Sequence, residues 1–132
     1  FRRVLFRSLG LKVDHHNYSH NWDGQEFAKI PRFWVEQYAS LLQKLDSMQE
    51  GDGTVLDNSC IMLANEQWTA HIAPKIPLLM AGGLHGSIKT RRSLDYEHAK
   101  ERRMSSLLLA VMDRMGVSLP EFGNSSTQLP EL

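Results

Sequence analysis

Cys60-Ile61-Met62-Leu63-Ala64 and Ile76-Pro77-Leu78-Leu79-Met80-Ala81 decide the fold class. Both runs are short, continuously apolar and bounded by breakers. That is the pattern of buried strands in a sheet covered on both faces. Pro77 belongs near a strand start, because it has no N–H to give to the ladder. Beyond the second run, Gly82-Gly83 and Gly86 turn the chain. Ser87-Ile88-Lys89-Thr90 and Arg92-Ser93-Leu94-Asp95-Tyr96 then predict a small surface ribbon.

Upstream of the strands lies a helix. Asp23 as N-cap with Glu26 three residues on marks its start. Phe27, Ile30, Trp34, Tyr38, Leu41 and Leu45 follow at steps of three and four, which places them on one helical face. Val35 and Leu42 widen that face, so the helix is expected to pack on a sheet. Pro31 either kinks the helix or marks its real first turn. Glu50-Gly51-Asp52-Gly53-Thr54 ends it in a tight polar loop. A second helix is predicted over Lys100–Met115, with Met104, Leu107, Leu108, Val111, Met112 and Met115 as its buried stripe and Gly116 as its stop. Leu9–Val13 reads as one further strand. The expected class is α/β, a short sheet packed by two main helices.

Composition narrows the functional classes. The chain has 132 residues, enough for one domain or a piece of one. With 15 Lys+Arg against 15 Asp+Glu, the formal net charge is zero, which argues against nucleic acid as a partner. No apolar run approaches the roughly 20 residues of a membrane span. The single cysteine, Cys60, excludes an internal disulfide framework and reads as an inert, small apolar residue.

The ends look like cuts. Leu5-Phe6-Arg7-Ser8 is what a common sequencing-library adapter encodes in frame, so residues 1–8 are read as a non-native end. There is no signal peptide pattern at this terminus. Residues 9–122 read as the C-terminal part of one α/β domain, and 123–132 as an extended or disordered tail.

Three of the six histidines, His15, His16 and His20, fall within six consecutive positions, beside Asp14 and Ser19. Imidazoles and carboxylates are common zinc ligands, and a catalytic zinc needs about three protein ligands plus water. His16 and His20, four apart, share a face only on a helix, whereas Asn17 and Ser19 favour a loop. The competing reading is a polar loop whose histidines bond to neighbouring backbone. Glu66 follows the first strand and His71 precedes the second. At adjacent strand ends these two residues can complete a mixed nitrogen and oxygen site for a divalent metal. Taken alone, Glu66 caps a turn and His71 packs on Trp68. Gly82-Gly83-Leu84-His85-Gly86 lacks the Lys-Ser/Thr ending of a phosphate loop, so no nucleotide cofactor is expected. His85 and His98 are expected to be exposed. Lys89, Arg91, Arg92, Arg102 and Arg103 alternate with Asp95, Glu97 and Glu101 in what reads as a solvated face.

Several segments, taken in order, resemble one family. His16-Asn17-Tyr18-Ser19-His20-Asn21 is similar to the signature of the HXXSHH family of bacterial proteins. Glu50 to Ser59, Ile76 to Gly83, Asp113 to Val117 and Phe122 to Ser125 resemble its later segments. The family's members are typically exported, periplasmic or extracellular, and their biochemical role is not established. The ordering is also similar to the C-terminal part of an alkaline-phosphatase-like or sulfatase-like domain.

That resemblance implies a divalent metal such as zinc on His16, His20, Glu66 and His71, with Asp14 and Ser19 supporting these ligands. It further implies hydrolysis of a small phosphate or sulfate ester. The N-terminal part of the same chain, where such enzymes keep their nucleophile, would then be a required partner, and this piece alone would be inactive. Two positions depart from the pattern. Asn21 stands where the signature ends in histidine, and Asn65-Glu66-Gln67 stands where the enzymes have Asp-His-Gly. The alternative is a degenerate, non-catalytic, metal-free relative serving as a cell-envelope binding or structural module.

Overall fold

The computed structural model describes residues 7–12, 14–20, 24–66 and 71–132. The chain forms two compact units, Phe1–Leu45 with Met62–Met80 and Asp46–Ile61 with Ala81–Leu132. Helices and two small two-stranded sheets make it loosely α/β. No helix among the described residues is long and apolar enough to cross a membrane.

In the first unit the strand predicted over Leu9–Val13 is not formed among the described residues. Residues 8–10 are a turn, closed by the Gly10 N–H donating to Arg7 O at 2.9 Å, and Leu11 alone of this segment is buried. Val13 lies outside the described residues. Helix α1 (His15–Ser19) replaces the predicted polar loop. The Asp14 carboxylate accepts from the Asn17 N–H at 3.1 Å and from its side-chain amide at 2.8 Å. This side-chain cap offsets the poor helix preference of Asn17.

Helix α2 (Gln25–Asp46) runs through Pro31. The ring removes one backbone donor there, which flanking ion pairs of Lys29 with Glu26 and Arg32 with Glu36 accompany on the solvent side. The expected N-cap, Asp23, lies outside the described residues. The apolar stripe differs from expectation. Ile30 is buried, with Phe27, Phe33, Tyr38, Leu42 and Leu45 partly covered, while Trp34, Val35 and Leu41 remain about half exposed. The inward face is thus narrower than the apolar arc of the sequence.

Strands β3 (Ile61–Ala64) and β4 (Leu78–Ala81) pair as predicted, with Pro77 just before β4. The expectation of cover on both faces fails. Met62, Ala64 and Leu79 are exposed, because a lone pair of strands has partners for one face only.

In the second unit β1 (Gln49–Glu50) and β2 (Gly53–Thr54) form an antiparallel hairpin, Gln49 opposite Thr54 and Glu50 opposite Gly53. The Asp57 carboxylate accepts from the Thr54 N–H at 2.9 Å and fixes the following turn. The ribbon predicted over residues 87–96 is irregular backbone, interrupted by Arg91 at φ 59°.

Helix α3 (Met104–Arg114) is shorter than predicted. It ends in a Schellman motif, the Val117 N–H donating to Met112 O at 2.9 Å and the Gly116 N–H to Asp113 O at 3.0 Å. Its buried face is wider than the predicted stripe. Ser106, Leu107, Leu109, Ala110 and Val111 are buried, while Met104 and Met115 are exposed. The closing segment supplies the additional cover. Leu129 and Ser125 are buried, the hydroxyls of Ser106 and Ser125 bond each other, and the Leu129 N–H donates to Ser106 O at 3.0 Å. Arg103 reaches Asn124 O, and the Tyr96 hydroxyl donates to Pro130 O. The tail is irregular in backbone and docked through small polar side chains, with the Ser105 hydroxyl donating to Asn124 Oδ1 and the Ser106 and Ser125 hydroxyls bonding each other.

Glu101 anchors the start of α3. Hydrogen bonds from the Arg103 guanidinium, then from the Arg103 N–H, hold its carboxyl far below the usual carboxylate range. A carboxyl with a depressed folded pKa stabilises fully above its unfolded value and loses that contribution as pH falls through the folded one. Glu101→Gln is therefore expected to lower the unfolding midpoint by a constant amount near neutral pH. The gap to the parent chain should close as pH falls below about 4, the ordinary glutamate range. Urea titrations across that range measure it, and a gap that widens in acid would contradict the assignment.

Candidate metal centre

Helix α1 brings two imidazoles together. His16 lies within it and His20 is its C-cap, still in right-handed helical conformation. The spacing of four stacks the two side chains on one face. Their Nε2 atoms are 3.2 Å apart, and the rings meet edge to face with centroids at 4.8 Å. His71 joins from a turn with φ 67°. Its ring centroid is 5.3 Å from that of His16 and 5.2 Å from that of His20. One ring nitrogen from each of the three lies within 4.8 Å of the others.

The donor set fits a divalent transition metal. Tetrahedral zinc with nitrogen ligands at about 2.05 Å separates them by about 3.4 Å. The His16–His20 pair already stands close to that spacing, and rotation about side-chain bonds can close the remainder. Imidazole suits zinc, copper and nickel better than magnesium or calcium. All three residues are exposed, which leaves room for a water as a further ligand.

Of the residues expected here, His16, His20 and His71 are brought together. Glu66 stands outside the group, exposed in a bend after β3 has ended at Ala64. Asp14 and Ser19 act on the helix rather than on the rings. The Asp14 carboxyl is held below its ordinary range, first by the Asn17 N–H and then by the Asn17 side chain, with the charge of His16 contributing last. Ser19 Oγ donates to His16 O at 2.7 Å. His15, the remaining member of the sequence cluster, points elsewhere and stacks on Phe27 with centroids 6.2 Å apart. Trp68, the expected neighbour of His71, lies outside the described residues.

Cys60 is half-buried, and burial pushes its thiol pKa up, in keeping with an unreactive side chain. His85 and His98 are exposed, as expected. One arrangement has no counterpart among the sequence expectations, the hydrogen bond of His85 to Asn58. Two residues 27 apart carry no spacing signal, and the contact depends on how two turns meet.

No protein-family model, no curated protein and no solved structure matches the chain.

Proposed function

We propose that the chain holds a divalent metal, zinc by preference, on His16, His20 and His71. The observation that carries this reading is the convergence of three imidazoles from two separate segments of the chain. On the resemblance of its motifs, we further propose that it is the C-terminal part of an exported bacterial protein of the HXXSHH type, with an alkaline-phosphatase-like domain. The parent protein would hydrolyse a small phosphate or sulfate ester. When bound, the metal would polarise the ester oxygen and lower the pKa of a bound water. The chain's own contribution is to hold it: Asp14 caps α1, and α1 sets the His16–His20 spacing.

A second reading is a non-catalytic binding module of the cell envelope. It is favoured by the position of Glu66, which leaves the imidazole group without a carboxylate member among the described residues to accept a proton. Calorimetric titration of this chain with zinc, followed by a screen of the full-length parent protein on generic phosphate and sulfate esters, separates the readings. Zinc binding with turnover supports the hydrolase. Zinc binding without turnover supports a metal-holding module, and the absence of both zinc binding and turnover supports the metal-free binding module.

A further inference from the structure

The second unit contains a relay of three polar side chains, Glu50, Asn58 and His85. The half-buried Asn58 donates from Nδ2 to Glu50 Oε2 at 2.8 Å, and its Oδ1 lies 3.0 Å from His85 Nδ1. A carboxylate oxygen only accepts, so the amide NH2 faces Glu50 and the amide carbonyl faces His85. An amide carbonyl also only accepts, so His85 Nδ1 carries the proton. Nε2 is left with a bare lone pair on an exposed ring, and none of the described residues bonds to it.

The backbone is shaped to present this ring. Leu84 and His85 are consecutive non-glycine residues in the left-handed region, at φ 43° and 54°. The conformation is costly for any residue with a Cβ, and such strain gathers at functional sites. The loop is clamped all the same. The Leu84 N–H donates to Ser59 O at 3.2 Å and the His85 N–H to Asp57 O at 2.9 Å. Packing does not call for histidine here, because the ring is exposed and glycine would form the same loop with less strain.

We propose that this relay fixes the Nδ1–H tautomer of His85 and presents Nε2 as a hydrogen-bond acceptor for a hydroxyl ligand, water or an alcohol. The hydroxyl donates to Nε2 and keeps its proton, so no covalent bond is made or broken. The Glu50 carboxylate orients the Asn58 amide, and the Asn58 carbonyl in turn holds the His85 Nδ1–H. His85 touches the ligand, and Asn58 and Glu50 are positioning residues.

The test is long-range proton–nitrogen NMR of the imidazoles, combined with modification by diethyl pyrocarbonate, both on the full chain without added metal. His85 is expected in the Nδ1–H form, and its modification is expected to outpace that of the exposed His98. Removing the Asn58 hydrogen bond by Asn58→Ala should return the tautomer ratio about fivefold toward Nε2–H and slow modification accordingly. An Nε2–H tautomer in the parent chain, or modification no faster than at His98, would reduce the relay to a structural tie between two turns. The NMR reading of the parent chain decides the matter even where the variant fails to fold.

Discussion

Zinc affinity is expected to fall in His71→Ala by more than the roughly 10- to 100-fold that loss of an outer-shell partner costs. In the proposed site His71 would supply the third ligand from outside α1, and without it two imidazoles remain with their Nε2 atoms 3.2 Å apart. Two neutral rings at that distance satisfy each other through one shared proton, so the pair gains less from a metal than the triad does. Competition against a chromophoric zinc chelator measures the effect. His15→Ala is the control on the same helix, because that ring stacks on Phe27, and it should leave affinity unchanged. Glu66→Gln should also leave affinity unchanged, since Glu66 is not a member of the group. A large loss from Glu66→Gln with none from His71→Ala would replace the imidazole triad with a different site.

The sequence carries this centre unevenly, for physical reasons. A spacing of four is informative only once the segment is helical, and the helix over residues 15–19 is too short to leave a periodic pattern. Its one legible signal is Asp14 with Asn17 three residues on, a capping pair that resembles an ordinary polar loop until the cap forms. His71 is legible as a candidate because it precedes a strand. Glu66 is one because it follows a strand, but β3 stops at Ala64 and the chain bends before reaching the rings.

The long elements are more plainly written. Helix α2 is visible from its period of three and four, and β3 and β4 from their apolar runs and Pro77. What those runs do not carry is their partners. An apolar residue records what it is able to bury and not what arrives to cover it, so Trp34, Val35, Leu41 and Leu79 remain exposed. The tail shows the converse. Ser125 and Leu129 are buried in a segment with no periodic signal, because their cover comes from α3 some 20 residues away in sequence, as the Ser106–Ser125 bond spans 19.

Gly82→Ala is expected to be the most destabilising single-methyl change in the second unit. A Cβ at Gly82 would lie 2.1 Å from Ser59 O, 2.7 Å from Leu56 O and 2.9 Å from Ser59 C, all backbone atoms with no flexible side chain to yield. The residue also sits at φ 90°, where any L side chain is strained by about 1–3 kcal/mol. Relief requires the Ser59 turn to move. That movement disturbs the Ser59 N–H bond to Leu56 O at 3.1 Å and the Leu84 N–H bond to Ser59 O at 3.2 Å, each worth about 1 kcal/mol net. The expected total is about 3–5 kcal/mol, in the range reached only by specific structural lesions. Gly86→Ala isolates the conformational part. Gly86 has φ 83° but nothing within 4 Å of the position its new methyl would take, so strain alone should cost it about 1–2 kcal/mol. Urea denaturation of the two variants measures the difference. Equal losses would mean that the 82–86 loop does not lie against the 56–59 turn, and the clamp that presents His85 would lose its basis as well.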